Sequence, residues 1–153
     1  MDLNKVVAEL EIEKTAIHSI ETKCMMTKIS ASTKRTFGLD IKCSQPIIKE
    51  NKKYGKLLML IDISLEQNEM EESTDKFQIV IEGVFSSSPA IDDEKFMELL
   101  NINGGAALYS IARAKIEAIS SLIYNEGKIL LPMINIIQYY KEKFEEENKR
   151  TNS

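Results

Sequence analysis

Few side chains in this sequence could do covalent or acid–base chemistry, and their spacing argues against it. His18 is the only histidine and falls among apolar neighbours on a segment that alternates like a strand. No second histidine could complete a zinc site with Cys24 and Cys43. Those two cysteines fall on different predicted strands without metal-ligand spacing, so they are expected to be buried, reduced thiols. Ser86-Ser87-Ser88 follows a strand pattern but has no nucleophile-elbow glycines around it. Asn103-Gly104-Gly105 lacks the lysine and the preceding strand of a phosphate loop, and it reads as a helix break. Asp92, Asp93 and Glu94 stand at a predicted helix start, where the helix dipole and unpaired N–H groups favour anions. Glu145-Glu146-Glu147 reads as solvated charge. The expectation is a protein with no catalytic residue, no metal and no cofactor, and therefore not an enzyme.

The elements that would hold such residues are clearer than the chemistry. Leu3, Val6, Val7 and Leu10 repeat at helical spacing, but Leu10 and Ile12 also open an alternation running to Met26. A first strand is predicted from about Glu9, with a bulge near Ala16–Ile17. Phe37, Leu39, Ile41 and Cys43 alternate as a second strand, after the polar stretch Ser30 to Thr36. Pro46 and the Lys-rich turn Lys49–Lys56 are expected to interrupt pairing. Leu57, Met59, Ile61, Ile63 and Leu65 then share one strand face, with Asp62, Ser64 and Glu66 on the other. After an acidic loop, Glu69–Asp75, a fourth strand sets Phe77, Ile79, Ile81 and Phe85 against Gln78, Glu82 and Ser86. This two-residue period belongs to antiparallel strands with one face on a core.

Past Pro89 the period becomes helical. Asp92 or Asp93 can cap a helix whose Phe96, Leu99 and Leu100 share a face. A second helix follows, with Leu108, Ile111, Ala112, Ile116, Ile119 and Ile123 along one side and Gly127 near its end. Asn135 is placed to cap a last helix carrying Ile136, Ile137, Tyr140 and Phe144. Strands followed by segregated helices define an α+β domain: a four-stranded antiparallel sheet with helices packed on one face. The expected layout is a single domain over 1–153, with a core from 9 to 144 and a fraying tail from 145 to 153.

Composition narrows the function classes. At 153 residues the chain can bury a sizeable core, and a net charge of −4 argues against nucleic acid. Met1-Asp2-Leu3-Asn4-Lys5 lacks the basic and apolar regions of a signal peptide, and no apolar run nears the roughly 20 residues that span a bilayer. A cytoplasmic protein without membrane insertion is expected. Binding has better residues behind it than catalysis. Leu58 and Leu60 interrupt an otherwise polar strand face and suggest a subunit contact in a homo-oligomer. Leu130, Leu131, Met133, Ile134, Ile136 and Ile137 crowd one loop-to-helix transition, more than one helix face can bury. Seven methionines add adaptable apolar surface.

The segment Glu82 to Tyr140 joins these pieces in a recognisable order. Gly83-Val84-Phe85 ends the fourth strand, Leu108, Ala112 and Arg113 mark the long helix (with Ser110 where a proline is usual), and Pro132 and Asn135 open the last helix. In these features the chain resembles the SecB family of protein-export chaperones, over roughly residues 9–144 in element order. The resemblance implies an ATP-independent holdase assembled as a dimer of dimers, binding unfolded or precursor polypeptides in apolar grooves. A client groove is expected between Phe37, Leu39 and Ile41 on one wall and Leu131, Met133, Ile134, Ile137 and Tyr140 on the other. Asp62, Glu66 and Glu82 are candidates for docking a translocase motor ATPase. Lys76 and Gln78 stand where the family presents a leucine and a glutamate to that motor. A SecB-like chaperone dedicated to one partner, such as the antitoxin of a toxin–antitoxin pair, is the alternative, and a non-chaperone interaction module is a further one.

Overall fold

A computed structural model describes residues 9–67 and 73–151 of the chain. Five strands, β1 (Glu11–Lys23), β2 (Lys34–Cys43), β3 (Ile47–Lys49), β4 (Lys52–Gln67) and β5 (Ser73–Ser87), precede three helices. These are α1 (Asp93–Leu99), α2 (Gly105–Ile123) and α3 (Ile136–Thr151). The sheet is antiparallel throughout, in the order β1-β5-β4-β2, with β3 also paired to β4. The fold is α+β, with the helices on one face.

Alternation decides which face is which. Leu57, Met59, Ile61, Ile63 and Leu65 of β4 and Phe77, Ile79, Ile81 and Phe85 of β5 are buried together against Phe96, Leu100, Leu108, Ala112 and Ile116. Two buried charges close the ends of this inner face. Lys53 Nζ donates to Asp93 Oδ1 at 2.6 Å and to the Ile91 carbonyl, which ties β4 to the start of α1. Asp75 accepts from the Met25 N–H at 2.7 Å, the Met26 N–H at 3.2 Å and the Tyr124 hydroxyl at 3.0 Å.

Several expectations need correction. The Lys-rich segment is not an interruption: Glu50 and Asn51, with φ of 50° and 59°, form a two-residue hairpin turn, and β4 begins at Lys52. Positive φ at both positions matches the twist of the flanking strands, the usual reason for tight hairpins of this kind. Asp75 belongs to β5, not to a loop, and β1 shifts register at Ile12/Lys14 and again at Ile17/Ser19. Asn103-Gly104-Gly105 does not break the helix. Leu100–Gly104 forms a π turn that leads directly into α2. The buried residues Phe96 and Leu100 are followed by Leu108 and Ala112. Eight residues therefore separate Leu100 from Leu108, where two α-helical turns would take about seven, and the π turn absorbs the extra one. The glycines serve close packing instead: a Cβ on Gly105 would sit 3.2 Å from Ile136 Cγ1.

Helix α2 ends at Ile123, before Gly127, whose φ of 80° places it in a turn against the Ile29 carbonyl. Helix α3 continues to Thr151 through residues expected to fray. Neither cysteine is fully buried: Cys24 is half-buried and Cys43 is exposed at the end of β2. The spacing of Leu3, Val6 and Val7 and the acidic residues at 69–72 lie outside the described residues.

Candidate functional site

Asn135 sets the position of α3. Its side-chain oxygen accepts the N–H groups of Ile137 at 3.0 Å and Gln138 at 3.1 Å, as a helix N-cap should. From there α3 lies along the edge of β2. The Tyr139 hydroxyl accepts the Ile41 N–H at 2.9 Å, and Lys143 Nζ donates to the Ile41 carbonyl at 2.6 Å and to Asp40 Oδ1 at 2.7 Å. Two side chains thus clip one residue of an edge strand. Backbone direction alternates along a strand, so the N–H and C=O groups of Phe37 and Leu39 point the same way, away from β4.

Between the end of β2, the π turn and α3 opens a groove of about 870 Å³. Ile41, Ile102, Ile137, Tyr140 and Phe144 make it apolar, with Ile137 48% and Phe144 65% exposed. Two of its lining residues carry buried polar atoms without hydrogen-bond partners: the Asn101 side-chain oxygen and the Tyr140 hydroxyl. Burial, with Tyr139 beside it, pushes the Tyr140 hydroxyl above the usual phenol range, so it stays protonated as a donor. The groove therefore presents one acceptor and one donor on an apolar wall. A peptide unit, with its N–H and C=O, complements that pair.

Of the eight residues expected to form a client groove, Ile41, Ile137 and Tyr140 come together here. Leu39 lines an adjoining, more polar groove of about 590 Å³ between β2 and α3, with Tyr139 and Glu142. Phe37 and Ile134 are half-buried against the core, and Leu131 is inside it. Met133 is 80% exposed, its sulfur taking an N–H from Arg113 at 2.8 Å, while Arg113 also holds the Leu131 carbonyl at 3.1 Å. Asn101 and Ile102 were not anticipated. The only hint was their place before the glycine pair, where the helix comes close to the sheet. Phe144, four residues after Tyr140, was legible as part of the α3 stripe.

Leu58 and Leu60 point to the opposite side of the sheet, with Asp62, Glu66 and Glu82. Each acid there has a partner within the sheet. Asp62 accepts from Gln78 Nε2 at 2.6 Å, Glu66 lies 3.1 Å from Lys34 Nζ, and Glu82 lies 3.6 Å from His18 Nε2 and 3.9 Å from Lys56 Nζ. Cys24 Sγ is 3.5 Å from the Tyr124 hydroxyl, whose pKa burial raises and which bonds Asp75, so this thiol belongs to the cluster at the end of β5. Among the described residues, no helix is long and apolar enough to cross a membrane.

No protein-family model matches the sequence, and no curated protein matches it. In fold the chain is similar to the Mycobacterium tuberculosis SecB-like chaperone Rv1957, solved in complex with a ChAD peptide from the HigA1 antitoxin. The TM-score is 0.58 at 10% sequence identity, over 86% of this chain and 94% of that one. The antiparallel sheet with helices on one face is thus the architecture of a SecB-like chaperone, reached here by a sequence that shares little with it.

Proposed function

We propose that the chain is an ATP-independent chaperone of the holdase type, which takes non-native polypeptide into the groove between β2, the π turn and α3. The observation that carries this reading is the unpaired acceptor and donor, Asn101 and Tyr140, on an apolar wall beside a strand edge. Unfolded chains share no sequence, only apolar side chains and unsatisfied backbone groups, so a receptor for them needs these features together. The activity is binding, not catalysis, and it needs no nucleotide. The fold neighbour's complex with an antitoxin peptide supports polypeptide binding. It also favours a second reading, in which this chain serves one dedicated partner such as an antitoxin. Delivery of precursors to a translocase motor has less behind it: Asp62, Glu66 and Glu82 are already partnered within the sheet, and Lys76 and Gln78 depart from the family's contact. Self-association, up to a tetramer, belongs to the same proposal.

The test uses Tyr140→Phe. Removing a buried hydroxyl that has no partner should leave the fold at least as stable. It should weaken binding of an unfolded model peptide about threefold to tenfold, the range of one neutral hydrogen bond. Ile137→Asp, in folded protein, should weaken it by at least about tenfold. Unchanged affinity in both variants places peptide binding elsewhere, and failure of the parent protein to suppress aggregation of a slowly folding chain without nucleotide removes the holdase reading.

A further inference from the structure

The face of the sheet turned away from the helices carries a charge pattern that complements itself. Cross-strand register sorts its residues into rows over β1, β5 and β4. One row is Glu21, Gln78 and Asp62; the next is Ser19, Val80 and Leu60. The third is Ala16, Glu82 and Leu58, and the fourth is Lys14, Val84 and Lys56. A small, apolar centre, Val80, Leu58 and Leu60, thus separates an acidic row from a lysine row about 20 Å away. Lys14, Glu21, Lys56 and Asp62 are exposed, and Leu58 remains 37% exposed.

We propose that this face docks on the same face of a second copy, sheet on sheet, about a two-fold axis that lies across the strands between Leu58 and Leu60. Such an axis keeps each strand over its own counterpart and reverses its direction. Leu60 then meets the partner's Leu58, Asp62 faces the partner's Lys56, and Glu21 faces the partner's Lys14. By symmetry every contact occurs twice. The other face-to-face arrangement, with the axis along the strands, lays acidic row on acidic row and lysine row on lysine row, and repulsion excludes it.

Two packed sheets cross at about 30°, which shifts rows about 10 Å from the axis sideways by about 5 Å, one strand spacing, and a lysine stem of about 6 Å spans that offset. The one unfavourable match sets Val80 against the partner's Glu82, a carboxylate that His18 and Lys56 attend within its own sheet. Four strands and four rows cover roughly 500 Å² per copy, below the roughly 800 Å² of a standard interface, so the dimer is weak and sensitive to concentration and salt. This gives the proposed self-association a surface and is independent of whether the groove binds clients.

A charge-exchange cycle on the full chain, read by sedimentation equilibrium over about 1–500 µM, tests the proposal. Asp62→Lys and Lys56→Asp should each weaken self-association about tenfold or more, and the double variant should return to within about threefold of the parent. Lys14→Glu with Glu21→Lys repeats the cycle should either first variant fail to fold. In a larger assembly the same cycle must remove and restore one step in size. A parent that stays monomeric at the highest concentration overturns the proposal. So do single reversals without effect, or a double variant as weak as the singles.

Discussion

The two faces of one sheet, built from the same strands, follow different rules. On the inner face Leu57, Met59, Ile61, Ile63 and Leu65 are closed off by α1 and α2, and each polar group that enters has a fixed partner. On the outer face their neighbours Leu58, Leu60, Asp62 and Ser64 alternate between apolar and charged, and all keep some contact with solvent. Adjacent residues, less than 4 Å apart along the chain, thus answer to different demands. The inner face carries the stability of the domain. The outer face is free to carry recognition, because a change there disturbs no core contact.

Paired substitutions test that division. The largest contrast should come from Ile61→Ala and Leu60→Ala. The first opens a cavity under a residue with no exposed surface to speak of and should cost about 2–5 kcal/mol, while half-buried Leu60 should cost about 1 kcal/mol. Urea midpoints at unchanged slope would measure both, and equal losses would erase the distinction. Next come two carboxylates. Asp75→Asn keeps the shape but puts an amide donor where an oxygen accepts from backbone N–H groups or Tyr124, for a loss of about 1.5–3 kcal/mol. Asp62→Asn should stay within about 0.5 kcal/mol of the parent, since its oxygen can still take the Gln78 bond. If the two shifts in thermal midpoint match, Asp75 is not the anchor described above.

The smallest contrast is between two strand glycines. A Cβ on Gly55 would lie 2.7 Å from Leu100 Cδ2 and 2.8 Å from Phe96 Cε1, so Gly55→Ala should destabilise by about 1–3 kcal/mol. Gly38, on the outer face, would meet only Asp62, at 3.4 Å. Gly38→Ala should stabilise by about 0.4–1 kcal/mol, by narrowing the unfolded ensemble. Calorimetry showing the same sign for both would mean that α1 does not press on β4 as closely as the distances say.

What could be read from the sequence tracks how local the cause is. Alternation along Leu57–Leu65, the caps at Asp92 and Asn135, and the odd placement of Leu58 and Leu60 depend on near neighbours, and each is found where it was expected. The hairpin at Glu50-Asn51 was hidden because neither residue is glycine, the usual sign of positive φ. Asp75 looked like loop charge because its partners lie 49 and 50 residues away in the chain. The groove was only partly legible for the same reason. That Leu131 turns into the core while Met133 turns out is decided by Arg113 and by the path between α2 and α3, which periodicity does not encode.

The π turn at Leu100–Gly104 has a consequence for the lengths this chain can tolerate. Five residues at about 4.4 per turn lag an α-helix by about 90°, close to the rotation of a single residue. The turn therefore stores one surplus position. Loss of a residue inside it would leave a regular helix with Phe96, Leu100, Leu108 and Ala112 still on the sheet. Loss of a residue in the middle of α2, at Ala114 for example, would swing Ile116 and all that follows about 100° off it. Along this helix, where a deletion falls matters more than how long it is.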